Sequence, residues 1–421
     1  MLNKTQNKFL HWKLLLRGWQ QIDWILMTLV VILTFLGGVS IRSAALTSTR
    51  GTDWWQHWLV GLIGVVIAFA IARWQYKAFL HWHWLIYAIS NITLIIVILI
   101  GVEANGAQRS INILNFNIIP SEFAKVSLII TQAAILQNRS NPKVTLLLQA
   151  LGVTIIPWAL VVLQPDLGTS LVFGVITLSM LYWANVNPGW LILMGSPMIA
   201  ALLYNLYLPS WFVWVGLMSL LAWFTIPWRV VGTFFAVLTN VTAGGIGGFM
   251  WGLLKDYQKD RLTLFLQPEK DPLGGGYHLI QSRIAIGSGS MWGRGLHQGT
   301  QTQLNFIPEQ HTDFIFSVIG EELGFVGSAL VLIAFWWLCL RLILIAQNSK
   351  EDFGSLLAIG VLSMIAFQVL INVGMTIGLA PVTGLPLPFL SYGRSALLAN
   401  FIALGLVEAV SNHQPRWHFR D

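Results

Sequence analysis

WILMTLVVILTFLGGVSI, residues 24–41, runs for eighteen positions without a charged side chain. As a helix rising about 1.5 Å per residue, it nearly spans the roughly 30 Å hydrocarbon core of a bilayer. Its apolar residues form one block and recur with neither the period of an amphipathic helix nor that of a half-buried strand, so no face is left for water. Similar blocks follow at 54–72, 84–102, 120–137, 144–163, 169–184, 190–208, 211–226, 230–254, 314–340, 355–380 and 395–410. The expected fold is therefore all-α, a polytopic membrane protein of about twelve transmembrane helices forming one integral domain over residues 1–421.

Composition agrees. Of 421 residues, 56% are hydrophobic and 10% charged, which excludes a set of soluble domains. The 21 tryptophans gather at block ends, as at Trp54, Trp55 and Trp58 or Trp336 and Trp337, where an amphipathic ring suits the headgroup zone. The net charge of +7 is not a nucleic-acid surface, because the basic residues are scattered over block ends. They sort by side instead. Lys4, Lys8, Lys13, Arg17, Arg73, Lys77, Arg139, Lys143, Arg229, Arg341, Lys350, Arg416 and Arg420 fall on one side, against Arg42, Arg50, Arg109 and Arg394 in the short loops of the other. The positive-inside rule puts both termini in the cytoplasm. No small-residue cleavage signature follows the first block, which reads as a retained helix. Cys339 is the only cysteine, so no internal disulfide or cysteine-based metal site forms.

Residues 255–313 differ from their flanks. They hold twelve of the 41 charged residues, directly after a charge-free stretch of 25. Eight glycines lie between 271 and 299, and a loop this long is more often functional than idle. Leu279 to Ile286 suits a short interfacial helix. Asp256 and Asp260, flanked by basic residues, read as solvated ion-pair partners. Asp271 is different, since it precedes Pro272 and a glycine run and shares its loop with Lys270, Arg283 and Arg294, cations suited to a phosphate. His278, His297 and His311 match no compact metal-ligand spacing.

A second polar set lies at outer span ends: Arg109, then Glu122 and Lys125 on one face of a helix's first turn, then Asp166. Ionisable groups at membrane depth face a cavity or a partner, and for Glu122 and Lys125 mutual neutralisation is an equal reading. Glu321, Glu322 and Glu408 are further candidates, with capping or packing the alternative. Residues 381–394, PVTGLPLPFLSYGR, carry three prolines and cannot continue a helix, so irregular backbone lining a cavity is expected there.

Five ordered stretches carry a family likeness: NGAQRSINILNFNIIPSEFAK at 105–125, QPDLGTS at 164–170, DPLGGGYHLIQSRIAIGSG at 271–289, FIPEQHTDFIFSVIGEELGFVG at 306–327 and GLPLPFLSYG at 384–393. Together they resemble the SEDS family (shape, elongation, division and sporulation), membrane glycosyltransferases that polymerise peptidoglycan from lipid II. The wording around FIPEQHTDF is closer to the elongation branch than to the division branch. There are two departures. Members usually have about ten spans, so residues 190–227 read as an inserted helix pair, and Arg394 stands where a second glycine usually follows SYG.

The resemblance implies an extracytoplasmic catalytic loop over 255–313 in a multi-pass protein of the bacterial cytoplasmic membrane. It implies Asp271 as general base, and Arg109, Lys125, Arg283 and Arg294 as cations for the undecaprenyl pyrophosphate leaving group. Gln281, Ser282 and His311 are implied as further substrate contacts. Glu122 and Asp166 would orient the cations or hold a divalent ion, magnesium or manganese. The implied partners are lipid II, the growing glycan strand, a class B penicillin-binding protein and other elongation-complex membrane proteins, with no nucleic acid. Two other readings share these features: a lipid II flippase or transporter, and another polyprenyl-linked polysaccharide polymerase such as one for O antigen.

Overall fold

The structure, a computed structural model, describes residues 22–45, 53–104, 107–113, 116–138, 143–253, 268–272 and 276–413. Lys4, Lys8, Lys13, Arg17, Arg50, Arg139, Arg416, Arg420, Asp256 and Asp260 lie outside the described residues, as does the first part of the polar loop.

Each expected block is a helix. In chain order these are α1 (Trp24–Ala45), α2 (Asp53–Ala72), α3 (Lys77–Ile100), α4 (Pro120–Leu136), α5 (Lys143–Leu163), α6 (Leu167–Trp183), α7 (Pro188–Leu206), α8 (Leu208–Thr225) and α9 (Arg229–Leu253). The polar loop contributes two short helices, α10 (Tyr277–Ser288) and α11 (Thr300–Gln303), before α12 (Ile315–Asn348), α13 (Asp352–Ile377) and α14 (Arg394–Asn412). Among the described residues, ten helices are long and apolar enough to cross a membrane; α4 and α6 have 17 residues each and are shorter.

Helix α4 is wrapped by its neighbours, and fifteen of its 17 residues are buried. That shielding lets a membrane-embedded helix carry polar groups, provided each finds a partner. Gln132 does so by donating to Thr154 Oγ1 at 2.6 Å and Thr177 Oγ1 at 2.8 Å, tying α4 to α5 and α6.

The expectation of an all-α chain needs one addition. Strands β1 (Val102–Ala104), β2 (Ala107–Ile113) and β3 (Phe116–Ile118) form a small antiparallel sheet between α3 and α4, with Glu103 opposite Gln108 and Asn112 opposite Asn117. Strands this short give little periodic signal, but Asn105-Gly106 between the first two is a strong hairpin dipeptide. The sheet pairs its own backbone and places Arg109 on a strand.

Helices α7, α8 and α9 pack on one another, and their substantive contact with the rest is α7 on α6. Asn240 of α9 donates to Ser196 Oγ of α7 at 2.9 Å, and Trp190 Nε1 donates to the Thr225 carbonyl at 3.2 Å. The stretch read as an inserted pair thus forms two helices joined at Tyr207, bundled with the helix that leads into the polar loop.

The described part of that loop is folded. Helix α10 packs on α12 and α13. Helix α12 breaks at Gly324 (φ 66°, ψ −163°), a region open essentially to glycine alone. At the break, Phe325 N–H donates to the Ser290 carbonyl at 2.9 Å and Val326 N–H to that of Met291 at 3.1 Å. The kink thereby docks the turn after α10.

Candidate active site

Asp271 ends a 3-10 turn (Pro268–Lys270) and is exposed. Backbone bonds set its position: its N–H donates to the Pro268 carbonyl at 3.4 Å, and its own carbonyl accepts from Gly276 N–H at 3.1 Å, where α10 begins. A Cβ on Gly276 would lie 2.2 Å from the Pro268 carbonyl oxygen, so the tight return needs glycine.

Helix α10 then presents three of the expected substrate contacts, in different settings. Ser282 has no exposed surface; its hydroxyl lies 2.6 Å from Ser317 Oγ and donates to the Thr376 carbonyl at 2.7 Å. It clamps α10 to α12 and α13, while its sequence neighbours Gln281 and Arg283 lie on other faces of the helix. Gln281 is half-buried. Arg283 is exposed and donates from Nη2 to the Gly378 carbonyl at 3.2 Å. Gly378 ends α13 in the left-handed region (φ 82°), and a Cβ there would strike the guanidinium.

The segment after Gly378 links this rim to the second polar set. Its Thr383 carbonyl packs against Gly168 at the start of α6, too close for a Cβ. Asp166 caps that helix, its carboxylate accepting from Thr169 N–H at 3.1 Å and Thr169 Oγ1 at 3.0 Å. Arg109 reaches across from β2 and donates to the Pro165 carbonyl at 3.3 Å. Glu122 stands in the first turn of α4 and Lys125 in the next, with Nζ 2.7 Å from Oε2 and both side chains buried. Ser395, next to Arg394, accepts from Ile119 N–H at 3.0 Å and so pins the start of α4 to the start of α14. Arg394 thus opens a helix beside the sheet that carries Arg109.

Residues 381–394 are irregular as expected, but much of the stretch is packed, with Leu385, Leu387, Phe389 and Leu390 buried. Polar side chains from spanning helices satisfy its backbone, as non-helical chain at this depth requires. Asn372 donates to the Leu385 carbonyl at 2.8 Å and to that of Asp313 at 2.9 Å, and His57 Nε2 lies 3.2 Å from the Phe389 carbonyl. Sequence reasoning passed over Asn372 and His57; their signal was a polar residue in an otherwise apolar span.

His311 sits at the neighbouring rim, 3.9 Å from Asp53 Oδ2 and 4.0 Å from Glu309 Oε2, with its carbonyl accepting from Tyr392 N–H. Arg294 is exposed and braced by Nε on the Ser288 carbonyl at 3.3 Å. Of the paired glutamates, one caps a helix and the other ties the loop to α1. Glu321 accepts from Gln301 N–H, Thr302 N–H, Thr302 Oγ1 and Thr300 Oγ1 at 2.6–3.2 Å, holding α11. Glu322 accepts from Ser43 Oγ and His297 N–H. Glu408 lies elsewhere, accepting from Asp23 N–H at 3.0 Å, while Arg341 grips the Asp23 carboxylate at 2.5–2.8 Å.

Among the described residues, no group of three or more His, Cys, Asp or Glu side chains converges as a metal site. The two metal candidates are also engaged, Glu122 with Lys125 and Asp166 with Thr169. These donors do not fit a metal cage.

The model of a cell cycle protein family that groups FtsW, RodA and SpoVE matches residues 20–214 and 189–416. This chain belongs to the SEDS family. It is 33% identical over 431 aligned positions to the peptidoglycan glycosyltransferase RodA of Treponema pallidum (strain Nichols), covering 95% of this chain and 99% of that one. It is 34% identical over 356 positions to the peptidoglycan glycosyltransferase MrdB of Escherichia coli (strain K12), covering 84% of each. Among solved structures, a chain from a peptidoglycan synthase complex that coordinates polymerization and crosslinking is similar with a TM-score of 0.70 and 27% identity, over 94% of this chain and all of that one. The rod shape determining protein RodA of Thermus thermophilus shares the fold, with a TM-score of 0.62 and 24% identity over 94% of this chain and 99% of that one. As a RodA-like SEDS protein, the chain is a multi-pass membrane protein, and its ordered motifs fall on the site just described.

Proposed function

We propose that this SEDS protein is a peptidoglycan glycosyltransferase that polymerises lipid II into glycan strands during cell elongation. The observation that carries the reading is its near full-length likeness to relatives named peptidoglycan glycosyltransferase. Asp271 is the general base. It takes the proton from the 4-hydroxyl of the acceptor GlcNAc as that oxygen bonds to the donor's anomeric carbon, and the bond to pyrophosphate breaks. Its exposure and the glycine turn behind it leave a sugar room to approach.

The departing undecaprenyl pyrophosphate carries the electron pair away, and fixed cations stabilise that charge. Arg283 and Arg109 suit this because each is braced by a backbone carbonyl and keeps further N–H donors. Arg294 and Arg394 add exposed and half-buried positive charge nearby in sequence and fold. Lys125 contributes by its field while it is paired with Glu122. The leaving-group charge is assigned to these side chains, and a divalent ion would enter with the pyrophosphate and keep most of its waters.

The reading places the loop outside the cell, both termini in the cytoplasm, and the lipid tail in the bilayer beside the helices. It makes α7 and α8 an addition to the family core that sets where α9 delivers the loop. A class B penicillin-binding protein is the expected partner, in keeping with the synthase-complex neighbour. The test is to incubate purified protein and partner with labelled lipid II. Polymer from the wild type and none from Asp271→Ala is expected, whereas undiminished polymer from the variant removes Asp271 as base. Lipid crossing liposomes with no polymer from either protein would replace the enzyme by a transporter.

A further inference from the structure

Three polar residues share one face at the start of α2, at positions i, i+3 and i+4: Asp53, Gln56 and His57. Each meets a different point of the loops that close the candidate site. Asp53 Oδ2 lies 3.9 Å from His311 Nε2, Gln56 Oε1 accepts from the Tyr392 hydroxyl at 2.9 Å, and His57 Nε2 lies 3.2 Å from the Phe389 carbonyl oxygen. The two loops are also joined to each other, because Tyr392 N–H donates to the His311 carbonyl at 2.9 Å.

Of these contacts, the one at Phe389 carries strain. Phe389 is in the left-handed region (φ 65°), which glycine enters freely and a bulky side chain rarely does. Such a conformation persists only where its surroundings over-determine it. Here they do so from three sides. The Phe389 ring meets that of Phe401 edge-on, with centroids 5.5 Å apart, and both residues are buried. Gly37 of α1 backs the main chain so closely that a Cβ there would lie 2.9 Å from the Phe389 carbonyl oxygen and 2.7 Å from that of Leu390. His57 completes the cradle. Since a carbonyl only accepts, Nε2 carries the proton and donates. The imidazole is buried, so losing its bond leaves the carbonyl without an easy replacement.

What this strained residue positions is the rest of its segment. From Gly378 to Ser395 the chain touches Arg283, Gly168 beside the Asp166 cap, the His311 carbonyl and the start of α4. Relaxing Phe389 to a negative φ would rotate the chain that follows it, which is the part carrying Tyr392, Arg394 and Ser395.

We propose that His57 is a positioning residue for glycan polymerisation: its hydrogen bond holds Phe389 in the left-handed conformation and so keeps Tyr392 against His311 at the rim of the site. The inference rests on the glycosyltransferase reading above. Buried beneath the segment, His57 acts through it and does not touch substrate.

The test uses the full-length protein with its partner and reads lipid II polymerisation together with amide hydrogen exchange over residues 385–395, where the Ser391 and Tyr392 N–H groups are bonded. A glutamine amide reaches about as far as histidine Nε2, an asparagine amide only as far as Nδ1. His57→Leu and His57→Asn should therefore speed exchange in this segment and lower kcat/KM about tenfold, the equivalent of one hydrogen bond, whereas His57→Gln should restore both. Exchange along α2 and α14 should stay as slow as in the wild type. Unchanged exchange in His57→Leu, faster exchange spread along α2 and α14, or a loss in His57→Gln as large as in His57→Asn overturns the proposal. Full polymerisation by His57→Leu beside an active wild type removes this inference alone, while a wild type that makes no polymer removes the glycosyltransferase reading and the inference with it.

Discussion

Lys125 Nζ lies 2.7 Å from the Oε2 of Glu122, which stands three residues earlier in the first turn of α4, and both side chains are buried. The carboxylate stands at the helix end that favours negative charge, so it is the cation that depends on its partner.

Removing one member leaves a buried charge without its counter-ion, which costs about 3–5 kcal/mol. Lys125→Met should therefore lower the thermal unfolding midpoint in detergent more than Glu122→Gln combined with Lys125→Met does. Polymerisation by the double variant decides the pair's role. Loss of activity with recovered stability means that the charges serve the reaction, and retained activity means that they only neutralise each other.

Asp271→Asn removes a proton acceptor from an exposed turn whose geometry rests on backbone bonds. The polymerisation rate should fall about 10²–10⁴-fold, the range for general-base catalysis, well beyond what any accompanying change in thermal stability accounts for. A parallel loss of stability would mean that the carboxylate holds the turn instead.

Glu321 gathers two N–H and two hydroxyl donors of α11 on a fully buried carboxylate. Glu321→Ala strands those donors and should destabilise by about 2 kcal/mol or more, as for charged hydrogen bonds and helix caps. Limited proteolysis should show early cleavage between residues 295 and 305. Glu321→Gln keeps an acceptor oxygen and should fall between the two.

Gly324→Ala puts a Cβ 2.2 Å from the backbone nitrogen of Gly293, in a conformation that side chains rarely adopt. The strain costs about 1–3 kcal/mol before the clash is counted. Gly378→Ala meets the end of the Arg283 side chain, which can swing away. We expect the first variant to lose stability and the second to lose polymerisation rate with a smaller stability change, read by unfolding and lipid II assays side by side.

The spans were legible because bilayer crossing depends on length and charge-free composition, which are local properties. The block at 24–41 became α1 (Trp24–Ala45), and 120–137 became α4 (Pro120–Leu136). The small sheet was missed because its strands have three to seven residues. That Ser282 turns inward was not legible, because a motif places residues in order without saying which face meets a neighbouring helix. Glu321 and Glu322 were rightly noticed as costly, but their structural roles depend on loop residues some twenty positions away and, for Glu322, on Ser43.

By itself, the sequence determined a polytopic helical membrane protein and its family motifs, among them the one that contains Asp271. Only the tertiary structure decided that Arg109 meets Pro165 beside Asp166, that Arg283 rests on Gly378, and that α9 bundles with α7 and α8. The physical reason is that span formation is settled within about twenty residues by the solvent, whereas these contacts join residues 56 or 95 positions apart. Such contacts follow from how whole helices pack, which no local pattern encodes.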